Sequence, residues 1–400
     1  MSILDGPSIR FERPGDSAAP KTQAYAASRM RVVCMISFLD RGAGAQQALM
    51  RLSQQLTLRG HDVETWFLYR KSDVDTGDLA ARLFSEGRLT LPQLFFLPFR
   101  LLRAIRQTRP DSVVSFLPLA NTLGLLCAWF AGVKTRVASQ RTAAGPYSPI
   151  MRIADKILGT LGLYTSNVCV STAVKESFRA YPSSYKARLC VVHNGIVWKP
   201  SSATCSDARR KLGLPETGMI FAAAGRLTAQ KNYVFLLDAF ARAKDSYLVI
   251  AGDGELRQEL QDLVQRLGIG DRVFFLGAVE RQVIPDLFRA ADAFVQSSLF
   301  EGQSNALLEA MHAGLPILVN DIPEQRETIV DEETGEAAGL LASVGDTAMW
   351  VELLQRLSDD AALRQNLSAL AQQMVARRFT LDRMIDGFEQ TLRSGSANAP

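Results

Sequence analysis

Two glutamates, Glu301 and Glu309, lie eight positions apart around a predicted helix start. Glu301 lies in the loop before the helix, and Ser304 or Asn305 is suited to cap it, because short polar side chains accept hydrogen bonds from the free N–H groups of a first turn. Those N–H groups favour an anion such as a phosphate. The stretch therefore suits a ligand with a diphosphate in the middle and hydroxyls at both ends, and a nucleotide sugar is such a ligand.

A second candidate site follows a predicted strand that ends before Gly225. Arg226 and Lys231 place two cations at the carboxyl end of this strand. Arginine makes a forked contact with a phosphate, and lysine acts as a point charge. An ordinary solvated loop explains the two residues equally well on their own. Beside the paired glutamates, a diphosphate site is the better interpretation.

Two glycine-rich turns are further candidates. Gly252 and Gly254 resemble the first half of a dinucleotide fingerprint, but Arg257 stands where the third glycine belongs, which argues against a dehydrogenase. Gly42 and Gly44 open the first predicted helix, where small residues let a ligand approach the backbone. In both turns, a structural role is as consistent with the sequence as a ligand contact.

The composition argues against several other classes of protein. Lys and Arg outnumber Asp and Glu by 45 to 41, and this net charge of +4 is too small to indicate a nucleic-acid partner. Five scattered cysteines without C-x-x-C spacing indicate reduced thiols and a cytoplasmic protein. The three histidines are far apart in sequence, so no zinc site is expected.

From Met30 onward, predicted strands and helices alternate, which is the pattern of an α/β fold with parallel sheets. A chain of 400 residues is long for one core, so two domains are expected. The polar segment 1–29 lacks the apolar core of a signal peptide and predicts a disordered tail. The polar segment Lys199–Ser206 predicts a linker, which divides the chain into domains at 30–198 and 199–378. Two such domains place a cleft at the carboxyl ends of both sheets, where ligands bind in open α/β folds.

The segment Leu91–Arg106 interleaves leucine and phenylalanine with arginine. Such a helix could lie at a membrane surface with its arginines on anionic lipid head groups. A helix packed on the core of the first domain is the alternative, and the pattern alone does not decide between the two. Pro92 and Pro98 are expected to break the segment up.

Taken together, these motifs resemble the retaining glycosyltransferases of family four, which have the GT-B fold of two Rossmann-like domains facing across a cleft. The resemblance runs from about Met30 to about Ile385 and is strongest in the second half. It rests on Gly225-Arg226-Leu227 with Lys231, on Gly252-Asp253-Gly254, and on Glu301–Gly314 followed by Pro316. It implies that a helix at 379–393 crosses back to the first domain, ahead of a tail at 394–400.

The resemblance implies transfer of a sugar, with retained anomeric configuration, from a UDP- or GDP-sugar to a glycan acceptor. It implies no metal and no other cofactor, because protein cations do the work of a metal. The expected acceptor is lipid-linked, with a polyprenyl diphosphate as a candidate carrier, in the synthesis of exopolysaccharide or lipopolysaccharide. The enzyme is then expected in the cytoplasm, with the inner face of the cytoplasmic membrane as its candidate place of work.

The resemblance also assigns roles to individual residues. Arg226 and Lys231 stabilise the charge that builds on the departing diphosphate, and Glu301 binds hydroxyls of the donor sugar, so these three form the expected catalytic set. Glu309 is expected to bind the ribose hydroxyls. The other residues expected to bind the donor are Ser304, Asn305, Gly225, Gly42, Gly44 and Gly252.

One departure from the family pattern lies in the first domain, where many relatives carry a histidine after a strand like Ser112–Leu117. No histidine follows that strand here. Asn121 is a candidate for the missing sugar contact, and Arg141 in the next loop is a second candidate for a sugar or acceptor contact. His193 ends a later strand and faces the expected cleft, where it either contacts a ligand or supports the turn.

Two other classes of function are possible on the same fold. One is a sugar-nucleotide epimerase or a phosphorylase. The scarcity of histidines argues against the epimerase, and a phosphorylase is distinguished by release of sugar phosphate when inorganic phosphate is supplied. The other class is a non-catalytic subunit that binds a sugar nucleotide, and the full set Arg226, Lys231, Glu301 and Glu309 argues against it.

Overall fold

The computed structural model describes residues 29–40, 44–71 and 81–397. Gly42 and nearly all of the predicted N-terminal tail lie outside these residues. The described chain forms two parallel β-sheets with helices between successive strands, which confirms the predicted α/β architecture. The strand order is β3-β2-β1-β4-β5-β6-β7 in the first sheet and β10-β9-β8-β11-β12-β13 in the second.

The first sheet is formed by the N-terminal half of the chain. Its strands are β1 (Arg31–Leu39), β2 (Asp62–Arg70), β3 (Ala81–Leu83), β4 (Ser112–Phe116), β5 (Thr135–Gln140), β6 (Ser166–Cys169) and β7 (Leu189–Val191). The helices between them are α1 (Gly44–Leu58), α2 (Leu91–Thr108), a π-helical turn (Ala120–Gly124), α3 (Leu125–Phe130), α4 (Pro149–Thr160), α5 (Thr172–Glu176) and α6 (Ser183–Lys186).

The second sheet is formed by the C-terminal half. Its strands are β8 (Met219–Ala224), β9 (Ser246–Ala251), β10 (Val273–Gly277), β11 (Ala293–Gln296), β12 (Ile317–Asn320) and β13 (Gly339–Ala342). The helices are α7 (Cys205–Lys211), α8 (Tyr233–Arg242), α9 (Arg257–Arg266), α10 (Ile284–Ala290), α11 (Asn305–His312), α12 (Pro323–Ile329), α13 (Thr347–Asp359), α14 (Ala361–Arg378) and α15 (Leu381–Ala397), with 3₁₀ turns at Ala229–Lys231 and Arg281–Val283.

Helices cover both faces of each sheet, and the central strands are therefore buried along their length. β4 and β11 have no residue exposed to solvent. Strands buried on both faces are apolar almost throughout, which explains why they were recognisable as short apolar runs. In each sheet, the strand order reverses beside the first strand of the unit, between β1 and β4 and between β8 and β11. The loops at these two points carry most of the candidate site residues.

The last helix, α15, returns from the second half of the chain to the first sheet. Its buried residues Met384, Ile385 and Leu392 lie in the same core as strand β1. The ring of Phe388 stacks on that of Phe116 in β4, with 5.8 Å between the ring centroids. The helix continues to Ala397, so the predicted tail beginning at 394 is wrong at its first residues.

Helix α2 is continuous from Leu91 to Thr108, and the prediction that its prolines break it is wrong. Pro92 lies in the first turn, where the backbone nitrogen needs no partner within the helix. Pro98 lies inside the helix. The buried face, Leu97, Leu101, Ala104 and Ile105, packs in the first-domain core and holds the helix in place. No helix within residues 29–40, 44–71 and 81–397 is long and apolar enough to cross a membrane.

Candidate active site

Lys231 and Glu301 form an ion pair at the carboxyl edge of the second sheet. Lys231 lies in the 3₁₀ turn after β8, and Glu301 lies in the loop between β11 and α11. Lys231 Nζ donates to Glu301 Oε1 at 2.7 Å, and Gln296 Nε2 donates to the same oxygen at 3.4 Å. The two side chains are 15% and 8% exposed. Two residues that the sequence assigned to different parts of a donor thus touch each other.

The glycines of the two neighbouring loops allow these loops to touch. Gly225 N donates to Ala251 O at 3.0 Å, and Gly252 N donates to Gly277 O at 2.8 Å. A Cβ atom on Gly252 would collide with the carbonyl oxygen of Gly225. This close approach gives Gly252 a structural role. Arg226, which follows directly, is exposed, and its side chain makes no hydrogen bond or ion pair within the described part of the chain.

The N-terminus of α11 is capped by Ser304. Its Oγ accepts a hydrogen bond from Leu307 N at 3.3 Å and donates to Gln296 Oε1 at 2.7 Å. The Ser304 side chain thus caps the helix and also holds Gln296, the residue that contacts Glu301. The predicted cap is confirmed; it uses the N–H of Leu307 and leaves those of Asn305 and Ala306 for an anion.

Asn305 connects α11 to the first domain. Its Nδ2 donates to the carbonyl oxygen of Gly44, the first residue of α1, at 3.3 Å. Its Oδ1 accepts from Asn194 Nδ2 at 3.1 Å. The loop before α11 makes further contacts across the cleft, because Gly302 O accepts from Ser171 Oγ at 2.9 Å. The two domains therefore touch at the start of α11.

Glu309 lies one turn further along α11 and faces α1. Arg281 lies between the two helices and donates to Glu309 Oε1 at 3.4 Å and to Gln47 Oε1 at 2.6 Å. Burial raises the pKa of Glu309, and the charges of Arg281 and Arg51 oppose this rise. The carboxylate predicted to bind a ribose is thus held by an arginine in the free protein.

Arg141 is 7% exposed and follows β5. One terminal nitrogen donates to Asn194 Oδ1, and the guanidinium carbon lies 4.8 Å from the centroid of the Phe116 ring. Asn194 N donates in turn to Gln303 Oε1 at 2.6 Å, so Arg141 is connected to the loop that carries Glu301. The structure therefore brings Arg141 to the edge of the cleft beside the start of α11.

Asn121 and His193 both contact other residues of the protein, and neither placement matches the predicted direct contact with a ligand. Asn121 is fully buried, accepts from Ser115 Oγ at 2.8 Å and donates to Ser139 O at 3.1 Å, so it joins β4 to β5 and has no face toward the cleft. A sugar contact by Asn121 does not fit this position. His193 Nε2 lies 2.8 Å from Glu327 Oε1, which belongs to the second domain.

Two family profiles match the chain. Residues 42–197 match the profile described as "Glycosyltransferase Family 4", and residues 206–374 match the profile described as "Glycosyl transferases group 1". The chain belongs to the glycosyltransferases of family four. The two matches divide at the segment between the two sheets, so each profile covers one half of this glycosyltransferase.

Two similar proteins align with most of the chain. LpsD of Rhizobium meliloti, a lipopolysaccharide core biosynthesis glycosyltransferase, is 27% identical over 365 residues, which are 88% of this chain and 96% of LpsD. The putative glycosyltransferase EpsF of Bacillus subtilis is 26% identical over 82% of this chain and 88% of its own length. The glycosyltransferase is thus similar to an enzyme named for lipopolysaccharide core biosynthesis and to a second protein named as a putative glycosyltransferase.

Solved structures confirm the GT-B fold of this glycosyltransferase. Anabaena HepE in complex with UDP and glucose has a TM-score of 0.79 at 19% identity, over 92% of this chain and 100% of HepE. WaaG, a glycosyltransferase involved in lipopolysaccharide biosynthesis, has a TM-score of 0.69 at 16% identity, over 90% of this chain and 99% of WaaG.

Several residues of the site were missed by the sequence analysis of this glycosyltransferase. Arg281 lies in a short turn without a motif, and Arg51 lies on α1 among ordinary helix residues. Glu327 carries no signal in the sequence. Asn194 directly follows His193, the candidate named in that turn, and was not itself predicted. Among residues 29–40, 44–71 and 81–397, no three His, Cys, Asp or Glu side chains are grouped to hold a metal ion.

Proposed function

We propose that this glycosyltransferase moves a sugar from a UDP- or GDP-sugar to a glycan acceptor with retained anomeric configuration. The observation that carries the proposal is the buried Lys231–Glu301 pair, with the exposed Arg226 nearby in sequence. Gln296 links the pair to Ser304 at the N-terminus of α11. Two cations, a carboxylate and free backbone N–H groups fit a diphosphate with a sugar attached. UDP and UDP-glucose in the HepE structures support a UDP-sugar as the donor.

In this proposal, Arg226 and Lys231 hold the negative charge that builds on the leaving diphosphate, and no metal is required. Glu309 binds the ribose hydroxyls after it exchanges its contact with Arg281. Glu301 binds hydroxyls of the donor sugar. The contacts across the cleft at Gly44 and Asn305 hold the two domains close around the ligand, which excludes water from the reaction.

We further propose that the acceptor is a lipid-linked glycan of lipopolysaccharide or exopolysaccharide synthesis. The names of LpsD and of LpsE, a second lipopolysaccharide core biosynthesis glycosyltransferase of Rhizobium meliloti, support the lipopolysaccharide pathway. An Escherichia coli relative, 32% identical over 44% of this chain, is named as a galactosyltransferase that acts on α-D-GlcNAc-diphosphoundecaprenol. This name supports a polyprenyl diphosphate as the carrier.

The solvent-facing side of α2 supports the proposal that the enzyme acts at the inner face of the cytoplasmic membrane. Phe95 is 66% exposed and Phe99 63% exposed, and the exposed Arg100, Arg103 and Arg106 follow on the same helix. Aromatic side chains that face solvent beside arginines fit a surface of anionic lipid. Helix α3 packs against α2, and the neighbouring helices extend the apolar surface. The exposed residues that they add are Trp129, Phe130, Ile150, Ile153 and Ile157.

The test is to incubate the purified protein with a panel of labelled UDP- and GDP-sugars and a bacterial membrane extract. Wild type is expected to transfer label from one donor to the lipid fraction, and Glu309→Ala is expected to lose most of this transfer. Glu352→Ala, a change at an exposed position on α13, is the matched control. Nuclear magnetic resonance of the product determines its anomeric configuration. Transfer from no donor, or release of sugar phosphate on addition of inorganic phosphate, would sink the proposal.

A further inference from the structure

Arg51 carries a buried guanidinium group that has no role in the transferase mechanism above. It lies on α1, one turn after Gln47, and therefore on the side of the helix that faces Arg281 and Glu309. Its Nε and both terminal nitrogens are buried and have no hydrogen-bond partner in the described part of the chain. Buried donors are normally satisfied, and burying a charged group without an acceptor is costly.

Arg141 shows the same feature on a neighbouring element. One of its terminal nitrogens is buried without a hydrogen-bond partner among the described residues, while the other donates to Asn194. The Phe116 ring below the guanidinium and the Asn194 amide beside it fix its orientation. The ring of Phe116 is itself held by Phe388. The terminal nitrogen of Arg141 that has no partner is therefore held in a fixed orientation, as a preorganised binding group requires.

The charge of Arg51 acts on the guanidinium group of Arg141. Burial lowers the pKa of Arg141 to about 9, and the charge of Arg51 lowers it further as the second cause. Burial also lowers the pKa of Arg51 to about 10, with the charge of Arg281 adding to the effect and the charge of Glu309 opposing it. Neither Arg51 nor Arg141 forms an ion pair with any described carboxylate. Two buried cations that lack an ion pair are costly, and an anion that both of them contact reduces that cost.

We propose that Arg51 and Arg141 form an anion site on the first-domain wall of the cleft and bind a phosphate group of one of the two substrates. Arginine is suited to this role, because its planar fork matches two phosphate oxygens at once. Asn194 connects the site to Asn305 at the start of α11, so a phosphate held here also draws the two domains together. The assignment to a substrate rests on the proposed transferase function, whereas the anion site itself does not.

Inorganic pyrophosphate is the probe for the site, with binding measured by calorimetry on the full chain. Arg51→Met is expected to weaken pyrophosphate binding about tenfold or more, which corresponds to the loss of hydrogen bonds to a charged group. Arg51→Lys is expected to recover part of the affinity. Arg266→Met, which removes one exposed charge from α9, is the control for overall charge. Binding that is absent in wild type, or equal in wild type and Arg51→Met, would overturn the proposal.

Thermal stability separates a binding role from a structural one. Because Arg51 has no partner, Arg51→Met is expected to melt at the same temperature as wild type or at a higher one, whereas the pyrophosphate affinity falls. A lower melting temperature together with unchanged pyrophosphate binding identifies Arg51 as a structural residue and overturns the proposal. Arg141→Met loses the contacts with Asn194 and Phe116 as well, so the stability test depends on Arg51.

Separate measurements with the donor and with the acceptor identify which of the two substrates supplies the phosphate. If the affinity for UDP falls in Arg51→Met, the site holds the donor diphosphate. If UDP affinity is kept and the KM for the membrane acceptor rises, the site holds a phosphate of the acceptor. Either result supports the site, and no change in either quantity contradicts it. If wild type transfers no sugar at all, the proposed function fails, but the pyrophosphate measurement still tests the anion site.

Discussion

Lys231 and Glu301 form an ion pair with an Nζ–Oε1 distance of 2.7 Å, and both side chains are largely buried. The sequence assigned the lysine to the diphosphate and the glutamate to the sugar, yet in the free protein each neutralises the other. A buried ion pair that loses one partner leaves an unpaired charge, which costs more than the intact pair contributes. The pair therefore connects the stability of the site with its chemistry.

Removing one charge of this pair is expected to destabilise the protein more than removing both. Lys231→Met leaves the Glu301 carboxylate with Gln296 as its remaining partner and is expected to cost about 3 to 5 kcal/mol. The double variant Lys231→Met/Glu301→Gln is expected to recover a large part of that loss. Urea unfolding of wild type, both single variants and the double variant measures the coupling. Losses that simply add would contradict an interaction between the two charges.

Glu309 is expected to affect binding of the donor nucleotide, whereas Glu301 is expected to affect the transfer step. Glu309→Ala is expected to raise the dissociation constant for UDP about tenfold, because the carboxylate binds the ribose. Glu301→Ala is expected to slow transfer with little change in UDP binding, because it contacts the sugar. Calorimetry with UDP and initial transfer rates measure the two effects. The reverse pattern would show that the roles are exchanged.

The fold was largely predictable from the sequence. The strand predicted to end before Gly225 is β8, which ends at Ala224, and the strand predicted at Ser112–Leu117 is β4, because each is a buried apolar run between turn signals. Strands β3 and β13 were missed. Both lie at the edge of a sheet and are only partly buried, so they do not form the continuous apolar run that marks a central strand. The continuity of α2 was missed because its prolines were weighed more heavily than the buried face that holds the helix.

Site residues that belong to a local sequence motif were predictable. Residues that meet only when the two domains come together were not. The cap at Ser304 follows from residues next to each other in sequence. By contrast, His193 and Glu327 are 134 positions apart and meet only because two domains come together. Asn121 illustrates a second limit: a polar residue after a strand is expected at the surface, whereas here it is buried and satisfied by Ser115 and Ser139.

The exposed face of α2 is expected to bind anionic lipid vesicles. Replacing Phe95 and Phe99 with serine is expected to weaken binding roughly tenfold for each residue, because each ring loses its burial in the lipid. Leu58→Ser, a change at an exposed apolar residue of α1, is the control. Sedimentation with vesicles of phosphatidylglycerol and of phosphatidylcholine measures the effect. The arginines on α2 predict stronger binding to the former and a decrease with added salt. Equal binding of all variants would exclude this face.

Glu327 is expected to make the contact between the domains sensitive to acid. Its oxygens accept from Thr172 N at 2.7 Å and Ala173 N at 2.8 Å, and His193 contacts the same carboxylate. Burial raises the pKa of Glu327, but these hydrogen bonds outweigh burial, and the pKa lies below its ordinary value of 4.5. A carboxyl group whose pKa is lowered in the folded state stabilises it above the ordinary pKa, and this contribution is lost as the pH falls through the lowered value.

Glu327→Gln is therefore expected to be less stable than wild type at neutral pH, by about 1 to 3 kcal/mol. The difference is expected to shrink as the pH falls below 4.5, the ordinary pKa of this carboxyl group, because the wild-type carboxylate is then protonated as well. Calorimetric unfolding at a series of pH values measures both proteins. Glu332→Gln, at an exposed position of the loop after α12, is the matched control. A difference that stays constant into strong acid would show that the shape of the side chain, and not its charge, holds the two domains together.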